Sequence, residues 1–283
     1  MSNAAKGAMW MIAAAGALTA MAICIRFLPA YSVLLMIFLR NVINLLLMTP
    51  SILRQGTSMV KTEKLGTHAL RNAFLYGGNV AWFYGVTLIA LADVAALQFT
   101  SPLFTALIAA VFLGERIGGH RMIAILVGFA GALIIIRPGI IPISLGTVMI
   151  LIAALLYSCA HVVTKRLSAT ESGSTVVFYM SFTILIYSAI PAFFVWQTPV
   201  IADLPAIIGL GITGYATHYC LTRSLAKADA SFVIAFDFMR LPFSAILGWL
   251  LFREILDFWT CTGALIIFAA GYYSTIRESR KTG

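Results

Sequence analysis

Residues 94–115, VAALQFTSPLFTALIAAVFLGE, return 139 positions later as residues 233–254, VIAFDFMRLPFSAILGWLLFRE. This gapless alignment holds six identities, among them Phe99 with Phe238 and Glu115 with Glu254, and most other positions exchange one apolar residue for another. A long internal repeat of this kind can determine a whole fold. We therefore expect two related halves, residues 1–140 and residues 141–283.

The composition indicates that most of this chain lies in lipid. Of 283 residues, 61% are hydrophobic and 10% are charged, and the mean hydropathy is +0.98. A soluble domain of this size cannot bury so much apolar surface. Ten apolar runs are long enough to cross about 30 Å of hydrocarbon, and they lie near 8–26, 31–50, 71–90, 93–114, 121–137, 144–163, 175–197, 204–222, 230–252 and 258–276. We predict an all-α integral membrane protein with ten transmembrane helices.

The distribution of Lys and Arg predicts how these helices are oriented. With the N-terminus in the cytoplasm, 14 basic residues fall at inner ends and three, Arg26, Arg137 and Arg253, fall at outer ends. This bias favours ten helices with both termini cytoplasmic. The net charge of +9 is spread along short loops, so it does not indicate nucleic-acid binding. Because each half holds five helices, the two repeats are expected to be inverted, as in many secondary transporters.

The motifs of the two halves resemble a known family. In the first half they are Ser101-Pro102-Leu103-Phe104, Leu113-Gly114-Glu115-Arg116 and Gly128-Phe129-Ala130-Gly131, and the second half carries Phe236 to Phe243 and Leu251-Phe252-Arg253-Glu254. Together they resemble the drug/metabolite transporter superfamily, in its ten-helix type with two EamA repeats. The resemblance covers nearly the whole chain and implies export or uptake of small metabolites, including amino acids. Arg253 departs from the pattern, because glycine is common at that position.

Polar residues within the fourth and ninth segments are the first candidates for substrate binding. Asp237, Arg240 and Ser244 share one helix face, and the offset pairs them with a stripe that includes Gln98 and Ser101. Charged residues inside a membrane usually face a cavity or a partner. Two readings of Asp237 and Arg240 remain open, a cavity that binds substrate and a permanent ion pair that only fixes helix packing.

The third and eighth segments supply a second polar set. Tyr76 and Asn79 share a face, and the offset pairs them with Tyr215 and His218. Trp82 lies deep enough to join them. We expect all five to line a central cavity between the third, fourth, eighth and ninth segments.

Arg40 and Asn44 in the second segment stand one helical turn apart and are candidates for holding a substrate carboxylate, while a structural or gating role for Arg40 is the alternative. Pro102 and Pro242 lie beside the polar stripes and are candidate hinges, with ordinary tolerated kinks as the alternative.

The remaining sequence features favour a carrier over other classes. No P-loop motif is present, which argues against ATP-driven pumping by this chain. The histidines and four cysteines show no metal spacing, so no metal or cofactor is expected, and no cluster typical of an enzyme occurs. A channel would need a filter signature or rings of charge.

We therefore predict a secondary transporter of the bacterial inner membrane that works by alternating access. Its partners are the lipid bilayer and a small-molecule substrate, with protons as the candidate coupling ion, carried by Asp237 or His218. A monomer holds all the parts of such a mechanism, and a dimer is the alternative. Amino acids, moved by export, are the first substrate hypothesis. A vitamin or other cofactor-like metabolite is the second.

Overall fold

The computed structural model describes residues 3–55, 62–114, 119–139, 143–167, 170–171, 173–227 and 236–282. Within these ranges the regular elements are α-helices and one short 3₁₀ helix at Ile201–Asp203. The helices are α1 (Asn3–Arg26), α2 (Val33–Gln55), α3 (Leu65–Leu88), α4 (Leu91–Gln98), α5 (Ser101–Leu113), α6 (Gly119–Ile136), α7 (Leu145–Leu167), α8 (Gly173–Phe194), α9 (Leu204–Leu225), α10 (Arg240–Phe252) and α11 (Phe258–Thr282).

These helices form the ten predicted segments of an all-α membrane protein. The fourth segment consists of α4 and α5, and α10 is the described part of the ninth. Five stretches are long and apolar enough to cross a membrane: Ala5–Arg26, Val33–Pro50, Leu91–Phe112, Leu145–Leu167 and Thr175–Phe194. Shorter apolar helices lie at Met122–Ile136, Arg240–Phe252 and Phe258–Tyr273. The long helices α3 and α9 are too polar to be counted among these five stretches, and they are equivalent in the two repeats.

The fourth and ninth segments are interrupted at equivalent positions. Phe99 and Thr100 form a turn between α4 and α5, and residues 238–239 form a turn just before α10. The 139-residue offset pairs these two breaks. Pro102 is the second residue of α5 and Pro242 is the third residue of α10, within the first turn, where a helix needs no backbone N–H from proline. Each proline thus follows a break, and its role as a hinge stays a prediction.

Helix packing reveals a two-fold relationship between the halves. The most extensive contacts join α1 to α9, α3 to α7 and α6 to α11. Because α7 is the repeat equivalent of α1 and α9 that of α3, the first two contacts are the same interface formed twice. Such reciprocal contacts are the signature of a two-fold axis. With five segments in each half, the axis lies in the plane of the membrane and the repeats are inverted.

The loops at the two ends of the molecule repeat this symmetry. The Tyr31 hydroxyl donates a hydrogen bond of 2.7 Å to Asp203 Oδ2 at one end. At the other end the Lys64 ammonium donates a hydrogen bond of 2.8 Å to Thr170 Oγ1. The offset pairs Tyr31 with Thr170 and Lys64 with Asp203, so the same loop-to-helix contact is made with different chemistry in each half.

The ends of α5 and α10 also correspond. Gly114 caps α5 at φ 67°, and Arg253 caps α10 at φ 58°. Both residues are in the left-handed region, which glycine adopts at no steric cost and arginine adopts with strain. Arg253 therefore has the same left-handed backbone conformation as its repeat equivalent Gly114, although it is not a glycine.

Arg71, one of the basic residues at the predicted inner ends, lies within α3. Helix α3 begins at Leu65, before the apolar run, and the Arg71 side chain is buried with 7% exposure. Its Nε donates to Thr164 Oγ1 at 2.7 Å, and its Nη1 donates to Asn72 Oδ1 at 3.2 Å and to the Val176 carbonyl at 3.3 Å. These bonds fix α3 to α7 and α8.

Candidate functional site

A small internal cavity lies where α1, α3, α4 and α10 meet. Its volume is about 20 Å³, room for roughly one water molecule. Four predicted site residues line it: Trp82, Gln98, Arg240 and Ser244. Its other walls are Leu18, Thr19, Ala22, Leu91, Val94 and Ala95. A metabolite needs a pocket of roughly 300–1,000 Å³, so the cavity as it stands is too small to hold one.

One polar atom at this cavity is left unpaired by the protein itself. Gln98 Oε1 is buried and has no hydrogen-bond partner among the described residues. Ser244 is buried at 6% exposure and Trp82 at 5%. Leaving a buried acceptor unpaired costs about 1–3 kcal/mol. A binding site whose ligand is absent has this property, since the ligand supplies the missing partner.

Asp237 and Arg240 form an ion pair and also lie beside a cavity, which are the two alternatives that the sequence left open. Arg240 Nε donates to Asp237 Oδ1 at 2.7 Å, and Arg240 Nη2 donates to Asp237 Oδ2, so the pair is bidentate. Both side chains are about one-fifth exposed, and Arg240 lines the cavity. The ion pair is formed, and it also borders the space that a ligand would enter.

Aromatic rings continue the wall beside this pair. The rings of Phe99 and Phe238, which the repeat makes equivalent, stack with centroids 5.4 Å apart. Phe268 packs on Phe238 at 4.5 Å, and the Arg240 guanidinium lies over Phe99 at 5.7 Å. Flat apolar surfaces next to a cation suit a ring-containing ligand. The repeat alignment contained Phe99 and Phe238, but only the structure shows that they touch.

A second group of predicted residues lies between α2, α3, α7 and α9. Arg40 is buried with 7% exposure, and Asn44 with 8%. Asn79 Oδ1 accepts a hydrogen bond of 2.9 Å from the Tyr157 hydroxyl. His218 of α9 is exposed. The predicted site is therefore divided into a cavity and a separate polar cluster.

The structure places three other predicted residues in helix contacts. Ser101 Oγ lies 3.1 Å from Ser158 Oγ, and its carbonyl accepts a hydrogen bond from Ser158, which joins α5 to α7. Tyr215 stacks on Tyr219 at 6.0 Å. The Tyr76 ring lies 6.2 Å from Tyr187, and the Tyr76 hydroxyl is buried without a hydrogen-bond partner among the described residues.

A larger cleft of about 700 Å³ opens at the end of the molecule that carries Arg26. It is lined by Ile25, Arg26, Leu28, Pro29, Tyr31, Ser32, Val33, Met36, Tyr84, Thr87, Leu88, Ile89, Ala90, Phe252 and Glu254. On α1, α3 and α10 these residues follow those that line the small cavity. The two spaces are therefore stacked along the same helices.

Arg26 and Glu254 both line this cleft, and neither lines the small cavity. Arg26 pairs with Glu254, and the guanidinium also donates to the carbonyls of Val86, at 2.8 Å, and Ile89. Glu254 Oε2 accepts a hydrogen bond of 2.9 Å from the Leu91 N–H. This network ties together the ends of α1, α3, α4 and α10, and we call it the outer seal.

Sequence reasoning missed several of these residues. Arg26 was counted only as an outer charge, and Glu254 only as a repeat identity. Their partnership joins residues 228 positions apart, which no local pattern shows. Thr19 gave no signal, since it stands alone in an apolar helix. Among the described residues no group of three His, Cys, Asp or Glu side chains could hold a metal ion.

Comparison with known proteins supplies an independent line of evidence. The model of the EamA-like transporter family matches twice, at residues 5–137 and at residues 144–276. The two matches cover nearly the whole chain and correspond to the two halves defined by the repeat.

The curated relatives are transporters that are named for different transported compounds. The chain is 31% identical over 256 residues to a riboflavin transporter of Brucella anthropi, covering 86% of this chain and 87% of the relative. It is 26% identical over 243 residues to an S-adenosylmethionine uptake transporter of Rickettsia bellii, covering 86% and 84%. It is 31% identical over 196 residues to the pseudopaline exporter CntI of Pseudomonas aeruginosa, covering 68% of each chain.

A solved crystal structure of a protein superimposes with a TM-score of 0.64 and 16% identity and covers 99% of each chain. At that identity the similarity supports the fold alone.

Proposed function

The chain belongs to the EamA-like transporter family, and from this premise we propose that it carries a vitamin or other cofactor-like metabolite with a heteroaromatic ring. The family and its named members are transporters and not enzymes. Small-molecule transport across a membrane is therefore the activity of this chain. The identity of the cargo is our proposal.

The observation that carries the proposal is the cavity bordered by Trp82, Gln98 and Arg240. An indole, an unpaired amide oxygen and a cation beside stacked phenylalanines match a planar ring with polar edges. Riboflavin and S-adenosylmethionine, which two relatives are named for, both contain such a ring system. These names support the vitamin hypothesis more than the amino-acid hypothesis.

Alternating access explains why the cavity is small in this state. The outer seal separates it from the cleft of about 700 Å³. Breaking the seal would join the two spaces into one that a metabolite could enter. We propose that the two halves move relative to each other about their two-fold axis, with the breaks beside Pro102 and Pro242 as bending points.

Location and orientation are also proposals. The basic residues at predicted inner ends support a bacterial inner membrane with both termini cytoplasmic. Residues 1–140 and 141–283 remain our boundaries for the halves. Protons are the proposed coupling ion, and a monomer is the proposed transport unit.

A transport screen in proteoliposomes tests the function. Purified protein is assayed for uptake of radiolabelled riboflavin, S-adenosylmethionine and a set of amino acids, each with and without an imposed proton gradient. We expect saturable uptake of a ring-containing compound. Uptake of amino acids alone would overturn the cargo proposal and restore the first hypothesis from the sequence.

A further inference from the structure

Arg40 is a buried cation that the protein does not neutralise within its described residues. It lies in α2, packed by Met21 of α1, Phe83 of α3 and Gly214 of α9. Its exposure is 7%. No carboxylate of a described residue lies within ion-pair distance of its guanidinium. A lone charge inside the membrane is costly and usually marks a functional site.

The contacts of its guanidinium are weak. Arg40 Nε is buried and has no hydrogen-bond partner among the described residues. Arg40 Nη1 reaches only Met21 Sδ, at 4.0 Å. The guanidinium lies over the Phe83 ring at 5.2 Å. A cation–π contact and one distant sulfur leave strong donors unused.

Arg71 provides an internal comparison, because it has the same 7% exposure. Its guanidinium donates to Thr164, to Asn72 and to the Val176 carbonyl. Among the described residues, Arg71 thus donates to oxygen acceptors, whereas the hydrogen-bond acceptor of Arg40 is the Met21 sulfur. Arg71 has a structural role, and Arg40 is available for a different partner.

The surroundings of Arg40 favour an anion as that partner. Asn44, one turn from Arg40, is also buried. A guanidinium binds carboxylate and phosphate through parallel N–H donors, and this geometry makes arginine the preferred residue for both.

Arg40 and the cavity are bordered by the same two helices. Met21 of α1 and Phe83 of α3 contact Arg40, and Ala22 of α1 and Trp82 of α3 line the cavity. Methionine is flexible and can move aside when the cavity expands.

We propose that Arg40 binds an oxyanion, a carboxylate or a phosphate, on the metabolite that this chain carries. The inference rests on the proposed function and narrows it to anionic or zwitterionic cargo. The ring of the metabolite occupies the cavity beside Trp82, and its oxyanion pairs with Arg40. The ligand then neutralises a charge that the protein alone leaves uncompensated.

Stability without ligand gives the first test. Removing an unsatisfied buried charge should not weaken the fold, so we expect Arg40→Met to unfold at the same temperature as the parent protein or higher. Arg71→Met is the matched control. It should lower the unfolding temperature because three acceptors lose their donor: the Thr164 hydroxyl, Asn72 Oδ1 and the Val176 carbonyl. An equal loss of stability in both variants would show that Arg40 is structural.

Ligand preference gives the second test, with protein in nanodiscs. The probes are two pairs that differ in the oxyanion: riboflavin 5′-phosphate against riboflavin, and methionine against methioninamide. We expect the oxyanion member of at least one pair to bind about ten- to a hundredfold more tightly. In Arg40→Gln this preference should fall to within about twofold, while Arg71→Gln should keep it.

The outcomes separate this inference from the proposed function. Binding of methionine over methioninamide with no flavin binding would sink the cargo proposal and support the role of Arg40. Binding of riboflavin with no preference for its phosphate, and no preference in the second pair, would support the cargo proposal and contradict the role of Arg40. Failure of both oxyanion probes to bind, or a preference that survives in Arg40→Gln, would overturn the inference.

Discussion

Gly131 and Gly263 face each other where α6 crosses α11. A β-carbon added to Gly131 would lie 2.8 Å from the Gly263 carbonyl oxygen, and one added to Gly263 would lie 2.5 Å from the Gly131 carbonyl oxygen. The closest approach between the two halves at this crossing is therefore backbone against backbone. Small residues allow such contacts in membranes, where lipid provides no hydrophobic drive for helix pairing.

We expect Gly263→Ala to lower stability by about 1–3 kcal/mol, because the helices must separate to accept the methyl group. Gly271→Ala on the same helix is the control, since no atom of a described residue lies within 4 Å of its β-carbon position. Thermal unfolding in detergent measures both. Equal unfolding temperatures for the two variants would contradict the close contact.

Arg253→Gly should stabilise the protein by roughly 1 kcal/mol, because a left-handed cap strains arginine but not glycine. The reciprocal change Gly114→Ala should destabilise by a similar amount, even though its β-carbon position is open. Chemical denaturation of both variants provides the measurement. A gain in stability from Gly114→Ala would show that the two caps are not equivalent.

The fold was more predictable from the sequence than the site. The repeat, the apolar runs and the count of basic residues are properties of whole segments, and they predicted ten helices in two inverted halves. The prolines also lie close to the interruptions, which come two to four residues before them. The apolar run began the third segment at residue 71, whereas α3 begins at Leu65, because apolar runs were the only signal for where helices begin.

The site was predicted in composition but not in arrangement. The offset shows which positions are equivalent, as with Gln98 and Asp237, but it does not show which positions touch. Trp82, Gln98, Arg240 and Ser244 meet in one cavity because α3, α4 and α10 converge there. Arg40 belongs to a separate cluster because it packs towards α9, and packing between distant helices leaves no periodic pattern in the sequence.

Glu254→Gln should open the outer seal by removing the charge that holds Arg26. The assay introduces Thr19→Cys into a protein whose four native cysteines are replaced by serine, and labels it from the outside with an impermeant thiol reagent. We expect the labelling rate to rise about tenfold, since a loss of about 1.4 kcal/mol shifts a closed-to-open equilibrium by that factor.

Asp257→Asn is the control for the seal. It breaks the ion pair of 2.8 Å between Arg137 and Asp257, whose members do not line either space. Labelling at position 19 should stay unchanged in this variant. If both substitutions raise labelling equally, general loosening and not the seal explains the effect.

Trp82→Ala should reduce transport by lowering affinity, because the indole forms a wall of the cavity. We expect KM to rise by about tenfold, in line with the loss of one aromatic contact of about 0.5–1.5 kcal/mol together with buried apolar area. Trp249→Ala is the control, since Trp249 is 55% exposed on α10. Saturation kinetics in proteoliposomes distinguish the two. An unchanged KM in Trp82→Ala would remove this residue from the binding site.

The hydrogen bonds that Arg71 and Asn72 make to α7 and α8 can form only after the second half of the chain has been synthesised. Thr164, which accepts from Arg71, lies 93 residues later in the chain, and Tyr179, whose carbonyl accepts from Asn72, lies 107 residues after it. At about 5–20 residues per second, a ribosome needs roughly 5–20 s to make the first of these partners. During that interval the nascent first half holds polar groups without their native acceptors. We therefore expect Arg71 and Asn72 to be held in water or by the insertion machinery, and not in lipid, until these partners are made.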